Sequence, residues 1–251
     1  VASINKDHKV ETYKPVSELE YKKLLTYYKY DKQPLNAEVI SREEKDDWIE
    51  EKIEFDCSLG DRITGFLFLP KNVQEPFQCI VWDPHGAVYD LGAPANWTAE
   101  ILFSGNIKAG RAVFVLVPKG SPSRKWEYGE QWPDVSTVLF RDRVLHGVTE
   151  SRIGLDYLST RKEIDMNKLT WIPTSHMING LIVPAVDNRI NSIVLIACGI
   201  YPESKTSLPE VNPVNFVAHY NKPTYFLYGK YDEAMPYNLL VLPFYKLLKN
   251  I

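Results

Sequence analysis

The stretch LTWIPTSHMING, residues 169–180, decides how this chain folds. It opens as a short apolar run of the kind shown by a strand covered on both faces, and it passes without a linker into Met177 to Val186, an apolar segment of helix length. Ser175 stands on the turn between the two. A side chain held there, at the carboxyl edge of a parallel sheet, faces the crevice where ligands of open α/β sheets bind. The serine-bearing form of this turn is commonly Gly-x-Ser-x-Gly. Here the residues are Pro173-Thr174-Ser175-His176-Met177, with neither glycine present. Serine is also a preferred helix N-cap, so the turn alone leaves a capping role and a nucleophilic role both open.

Outward from this stretch, strands and helices alternate. Cys79 to Trp82 is an apolar run ending in Asp83-Pro84-His85-Gly86-Ala87. A helical segment near Glu100 to Ala109 stops at Gly110, a C-terminal glycine cap, and Ala112 to Val117 is the next strand. Ser136 to about Thr160 has helical spacing at Val144, Leu145, Val148, Leu155 and Leu158. After the central stretch come a strand at Ile193 to Ala197, a short helix at Val214 to Tyr220, a strand at Thr224 to Tyr228 and a helix at Leu239 to Leu248. Alternation of this kind predicts right-handed crossovers and a mostly parallel, doubly wound sheet. The amino-terminal part differs. Ser17 and Glu20 form a capping box that starts a helix running to about Tyr30, and residues 31–47 are polar and turn-rich. Trp48 to Cys57 and Ile63 to Leu69 then make an antiparallel hairpin around Leu59-Gly60-Asp61. Residues 1–15 read as a polar tail, and 16–251 as one α/β domain.

Composition narrows the function. With 29 basic and 32 acidic residues the net charge is −3, which offers no basic face for phosphates, so nucleic acid is excluded as a partner. No apolar run approaches the ~18 residues of a membrane span. Cys57, Cys79 and Cys198 lie in or beside apolar strands, where cysteine behaves as a small hydrophobe. Neither a zinc-type histidine or cysteine spacing nor a glycine-rich dinucleotide loop is present, so no metal and no cofactor is expected. The first residue is Val1, which leaves a processed amino terminus open. A cytoplasmic setting is the default expectation, with a secreted or periplasmic one not excluded.

Three carboxyl-edge loops carry the chemical candidates. His85-Gly86 follows the third strand, Ser175 follows the fifth, and Asp232 lies in Gly229-Lys230-Tyr231-Asp232, 57 positions beyond Ser175 (232 − 175). An oxyanion-type loop, a nucleophile and an acid in that chain order are the arrangement expected of a Ser-His-Asp acyl-transfer site. Each also has an ordinary reading, as a tight turn, a helix cap and a turn aspartate. Trp97, Trp126 and Trp132 fall in segments at the same sheet edge and either line a substrate pocket or simply cover the core.

These residues carry a resemblance. From Pro15 to Asn250 the chain resembles bacterial α/β hydrolases of the acetyl-xylan-esterase and dienelactone-hydrolase kind, some of which occur fused behind serine/threonine kinase domains. The similar segments are Tyr30-Asp31 with Pro34-Leu35, Phe66 to Asn72, Lys119-Gly120, Arg141-Asp142-Arg143-Val144, Asp156-Tyr157-Leu158 with Arg161, Pro209 to Pro213 with Asn215-Phe216, and Gly229 to Asp232. The resemblance implies the α/β-hydrolase fold with an antiparallel amino-terminal hairpin, a carboxylic ester as small-molecule substrate, and a possible fused or associated signalling domain. It matches Ser175 to the nucleophile, Asp232 to the triad acid, and His85-Gly86 together with the His176 N–H to the oxyanion site. Two departures stand against it. Pro173 and Met177 replace the elbow glycines, which is expected to push helix and strand apart. No histidine follows His219, so the triad base, with the last strand and helix of that fold, is expected to lie outside this chain. The alternative expectation is the same fold without the reaction, as a ligand-binding or scaffold module.

Overall fold

The computed structural model describes residues 12–71, 73–129, 132–175 and 178–248. Eight strands form one sheet: β1 (Glu38–Glu44), β2 (Trp48–Asp56), β3 (Arg62–Pro70), β4 (Phe77–Asp83), β5 (Ala112–Leu116), β6 (Ile164–Pro173), β7 (Ser192–Ile196) and β8 (Thr224–Leu227). Their spatial order is β1-β2-β3-β5-β4-β6-β7-β8. The first three strands and the β3–β5 contact are antiparallel, whereas β5, β4, β6, β7 and β8 run parallel. β1 is an addition to the expected hairpin. All seven of its residues are exposed, so it has no alternating apolar face for a sequence pattern to reveal, and it is held by backbone pairing to β2.

The helices are α1 (Glu18–Leu24), α2 (Gly86–Tyr89), α3 (Ala95–Lys108), α4 (Val138–Leu158), α5 (Ile178–Val186), α6 (Val214–Val217) and α7 (Leu242–Tyr245). Strand alternation divides the core. Cys79, Val81, Phe114, Leu169 and Trp171 face α4, α5 and the neighbouring helices, while Ile80, Trp82, Val113, Val115 and Ile172 face α3. Residues 12–15 do not behave as a free tail: Tyr13 packs on the larger cluster, and the Val16 N–H donates to Asn215 Oδ1 at 3.0 Å. Residues 1–11 lie outside the described residues. No helix among the described residues is long and apolar enough to cross a membrane.

The strand order creates one switch point. β4 continues through α3 to β5 on one side, and β6 continues through α5 to β7 on the other. The carboxyl ends of β4 and β6 are adjacent, with Asp83 paired to Pro173, so a crevice opens above them. His85 and Ser175 stand at its two lips.

Candidate active site

Ser175 adopts φ +67°. An N-cap residue has extended backbone and negative φ, as Ser17 (φ −64°) and Thr137 (φ −90°) do in this chain. Ser175 therefore is not a conventional cap. The left-handed conformation costs an L-residue roughly 1–2 kcal/mol and persists only where surrounding structure holds it. Three bonds supply that hold. The Ser175 N–H donates to the Ile196 carbonyl at 3.0 Å. The buried Thr174 hydroxyl donates to the Asp83 carbonyl at 3.1 Å and accepts from the Trp82 indole N–H at 3.2 Å. The strand end is thus pinned to β4 on one side and β7 on the other.

The missing elbow glycines have a counterpart further along. At Gly180, in the first turn of α5, an added Cβ would lie 2.8 Å from Pro173 Cβ and would overlap the Asp83 carboxyl. The close approach of helix to strand is made there, outside the five-residue window. The Gly180 carbonyl would ordinarily accept from the amide four residues on. That residue is Pro184, which has no N–H, and the Trp171 indole donates to the orphaned carbonyl instead, at 2.9 Å.

Across the crevice His85 caps α2, its Nδ1 accepting the Ala87 N–H at 3.0 Å. Burial holds the imidazole pKa below its usual value, so the ring is neutral at pH 7. A neutral ring that accepts at Nδ1 carries its proton on Nε2 and is a donor there. His85 is consequently suited to donate to a developing negative charge and unsuited to remove a proton through Nε2. Ser175, His85, Gly86 and Ala87 line one open groove of about 440 Å³, walled on the α3 side by Leu102 and Phe103 and closed by Ile196 and Ala197. Ala197 also has positive φ, +50°. Among the described non-glycine residues with positive φ, two of three meet in this groove, the clustering expected where backbone strain serves a site.

These features decide the fold assignment: an eight-stranded, mostly parallel sheet with an antiparallel amino-terminal hairpin, a switch-point crevice, and a serine in left-handed conformation on the strand-to-helix turn. The chain has the α/β-hydrolase fold. Known structures with this α/β-hydrolase architecture agree. An acetyl xylan esterase from Paenibacillus sp. R4 superposes with a TM-score of 0.70 over 95% of this chain and 88% of its own, at 15% identity. Acetyl xylan esterase 1 from Thermoanaerobacterium sp. JW/SL YS485 gives 0.71 over 94% and 86%, at 12% identity. A glucuronoyl esterase from Solibacter usitatus gives 0.59 over 90% and 79%, at 16% identity. In sequence, the Bacillus subtilis (strain 168) protein named "Putative hydrolase YtaP" is 22% identical over 181 residues, 65% of this chain and 58% of that protein's length. No protein-family model matches the chain.

The other candidate residues fall as follows. Asp232 lies on the loop after β8, and its Oδ1 accepts the N–H groups of Ala234 and Met235, both at 3.0 Å. His176 and Met177, and with them the expected oxyanion N–H and the expected displacement of the helix, lie outside the described residues. His146, on α4, is half-buried, bonded to Glu150 at 3.2 Å and edge-on to Trp126. His219 stacks on Tyr21 at 3.6 Å. Trp126 and Trp132 line a half-open cavity beside the groove, whereas Trp97 is 57% exposed on α3 and is not part of that lining.

Asp61, His146 and Glu150 bring ligand-type atoms within 4.8 Å of one another. Arg124 already bridges Glu150 (2.6 Å) and Asp61 (3.0 Å), and Lys119 joins Asp61 at 2.7 Å. Burial opposes ionisation of Glu150, but His146 and Arg124 outweigh it and hold the carboxyl below its ordinary pKa. The cluster is an ion network neutralised by its own side chains. Sequence reasoning passed over Asp83, Thr174 and Gly180, although an acid closing an apolar strand, as Asp83 closes β4, is a signal in its own right.

Proposed function

We propose that this protein is a serine hydrolase acting on carboxylic esters, with Ser175 as its nucleophile. The observation that carries the reading is the left-handed backbone of Ser175, clamped between β4 and β7 at the switch point. In this mechanism the Ser175 hydroxyl attacks the ester carbonyl and gives its proton to a histidine outside the described residues. The Gly86 N–H and the Nε2–H of His85 stabilise the oxyanion, with the His176 N–H completing the set. The alcohol leaves with the histidine's proton, and water then hydrolyses the acyl-enzyme to release the carboxylate. Asp232 orients the histidine. The esterase structures that share the fold support the class of reaction, and the groove of about 440 Å³ beside Ser175 has room for an ester.

The second reading, a module that binds esters or related ligands without cleaving them, is favoured by one observation. His85 already accepts at Nδ1, and His146 and His219 are engaged with Glu150 and Tyr21. Labelling with a fluorophosphonate separates the two. Stoichiometric labelling of the wild type that disappears in Ser175→Ala supports the hydrolase. Absence of labelling in the full-length protein between pH 6 and 9 supports the binding module.

A further inference from the structure

The half-open pocket next to the groove has a volume of about 390 Å³, more than twice the roughly 150 Å³ of an apolar cavity that holds benzene. Its wall is mainly apolar and strongly aromatic: Trp126, Trp132, Phe140, Val144, Ile178 and Tyr201. Trp126 is fixed from several directions. The Arg143 guanidinium lies 4.9 Å from its ring centroid, the Lys119 ammonium 5.9 Å, and His146 meets it edge-on at 5.1 Å. Arg143 is in turn bonded to the Tyr128 carbonyl at 2.7 Å. An aromatic wall held this way needs little ordering when a ring stacks on it, so more of the contact energy appears as affinity.

The cavity and the groove share their dividing wall. α2 with its cap contributes His85 and Gly86 to the groove and Tyr89 to the cavity. The chain just past β6 contributes Ser175 to one and the start of α5 contributes Ile178 to the other, and the loop after β7 contributes Ala197 and Gly199 in the same way. The groove lies against α3, with Ser175 in its lining, and the pocket lies against α4. We infer that the substrates are aryl-bearing esters, whose ring fills the Trp126–Trp132 cavity while the carbonyl lies over Ser175. Turnover of such esters rests on the hydrolase reading; occupation of the cavity by an aromatic ring does not.

The test uses 2-naphthol, the ring-bearing alcohol of a naphthyl ester, titrated calorimetrically into the Ser175→Ala protein, which keeps the cavity and removes the reaction. Saturable one-to-one binding is expected, weakened about tenfold or more in Trp126→Ala and also weakened in Trp132→Ala. Trp132 is 53% exposed, so its removal leaves the fold intact should the Trp126 variant fail to fold. With Ser175 intact, kcat/KM for 2-naphthyl acetate is expected to fall in the Trp variants by a factor similar to the loss of binding, and by much less for ethyl acetate, which has no ring to place there. No saturable binding, or binding indifferent to both substitutions, overturns the inference. Binding to Ser175→Ala with no turnover by the wild type leaves the cavity assignment standing and removes the hydrolase reading. Turnover without 2-naphthol binding does the reverse.

Discussion

Asp83 offers a stability measurement that reports directly on the carboxyl beneath the elbow. It is 5% exposed, its Oδ2 has no hydrogen-bond partner among the described residues, and burial pushes its pKa up to about 8. The groups around it are Tyr89 from α2, Glu150 from α4, Lys119 from the loop after β5 and Cys198 from the loop after β7. In the unfolded chain the carboxyl returns to the usual aspartate value near 3.9. Between about pH 4 and pH 8 the native protein therefore holds a proton that the unfolded chain has released. The stability associated with it is fully present below pH ~4 and is lost as pH rises through ~8, at about 1.4 kcal/mol per pH unit. Four units give a ceiling of about 6 kcal/mol, which relaxation and water entry reduce. Asp83→Asn keeps the shape and removes the titration. Urea denaturation of both proteins at each unit from pH 5 to 8 is expected to show the variant gaining on the wild type by about 1 kcal/mol per unit. All other carboxylates titrate in both proteins and cancel in the difference. Two stability curves that run parallel from pH 5 to 8 would refute the assignment of a protonated Asp83.

Three further outcomes follow from the same geometry. Thr174→Val removes the bridge between Trp82 and the Asp83 carbonyl, leaves a buried indole N–H unpaired at a cost of roughly 1–3 kcal/mol, and lets the Ser175 hydroxyl move; a shift of ~1 Å corresponds to about a hundredfold slower fluorophosphonate labelling, with Thr174→Ser retaining most of the rate. Ser175→Gly relieves the left-handed backbone and is expected to be more stable than Ser175→Ala by about 1 kcal/mol in urea denaturation, while neither variant is labelled. Arg124→Met strands Asp61 and Glu150 without their shared cation and is expected to cost about 3–5 kcal/mol of stability, read from the denaturation midpoint at pH 7.

The sheet was legible because its central strands are buried on both faces, and continuous apolar runs such as Cys79 to Trp82 have few other homes. β1 was not legible, since a strand that packs neither face on the core has no reason to alternate. β6 extends five residues earlier than the apolar run at Leu169; Ile164 and Met166 there pack on the core, but Asp165, Asn167 and Lys168 break the apolar run that would have marked the strand. At the site, chain order placed His85, Gly86 and Ser175 around one groove. The bonding state of His85 could not be read in advance, because it depends on a 3.0 Å contact with its own helix turn. The role of Gly180 was hidden by the assumption that close approach must occur within two residues of the serine.

That displaced glycine changes how the loss of the elbow pattern should be weighed. Glycines beside the serine do two things at once: they let helix and strand approach, and they relax the backbone on either side of a strained residue. In this chain the two tasks are separated. Gly180 and the Pro184–Trp171 arrangement accommodate the approach, whereas the strain at Ser175 is borne by the Thr174 bonds and by the Ile196 carbonyl. A turn retained only to start α5 would have no use for that strain, because an extended serine or threonine caps a helix without it, as Ser17 and Thr137 do. The persistence of a left-handed serine in a turn that lacks its usual glycines is therefore an argument for a role at Ser175 beyond folding.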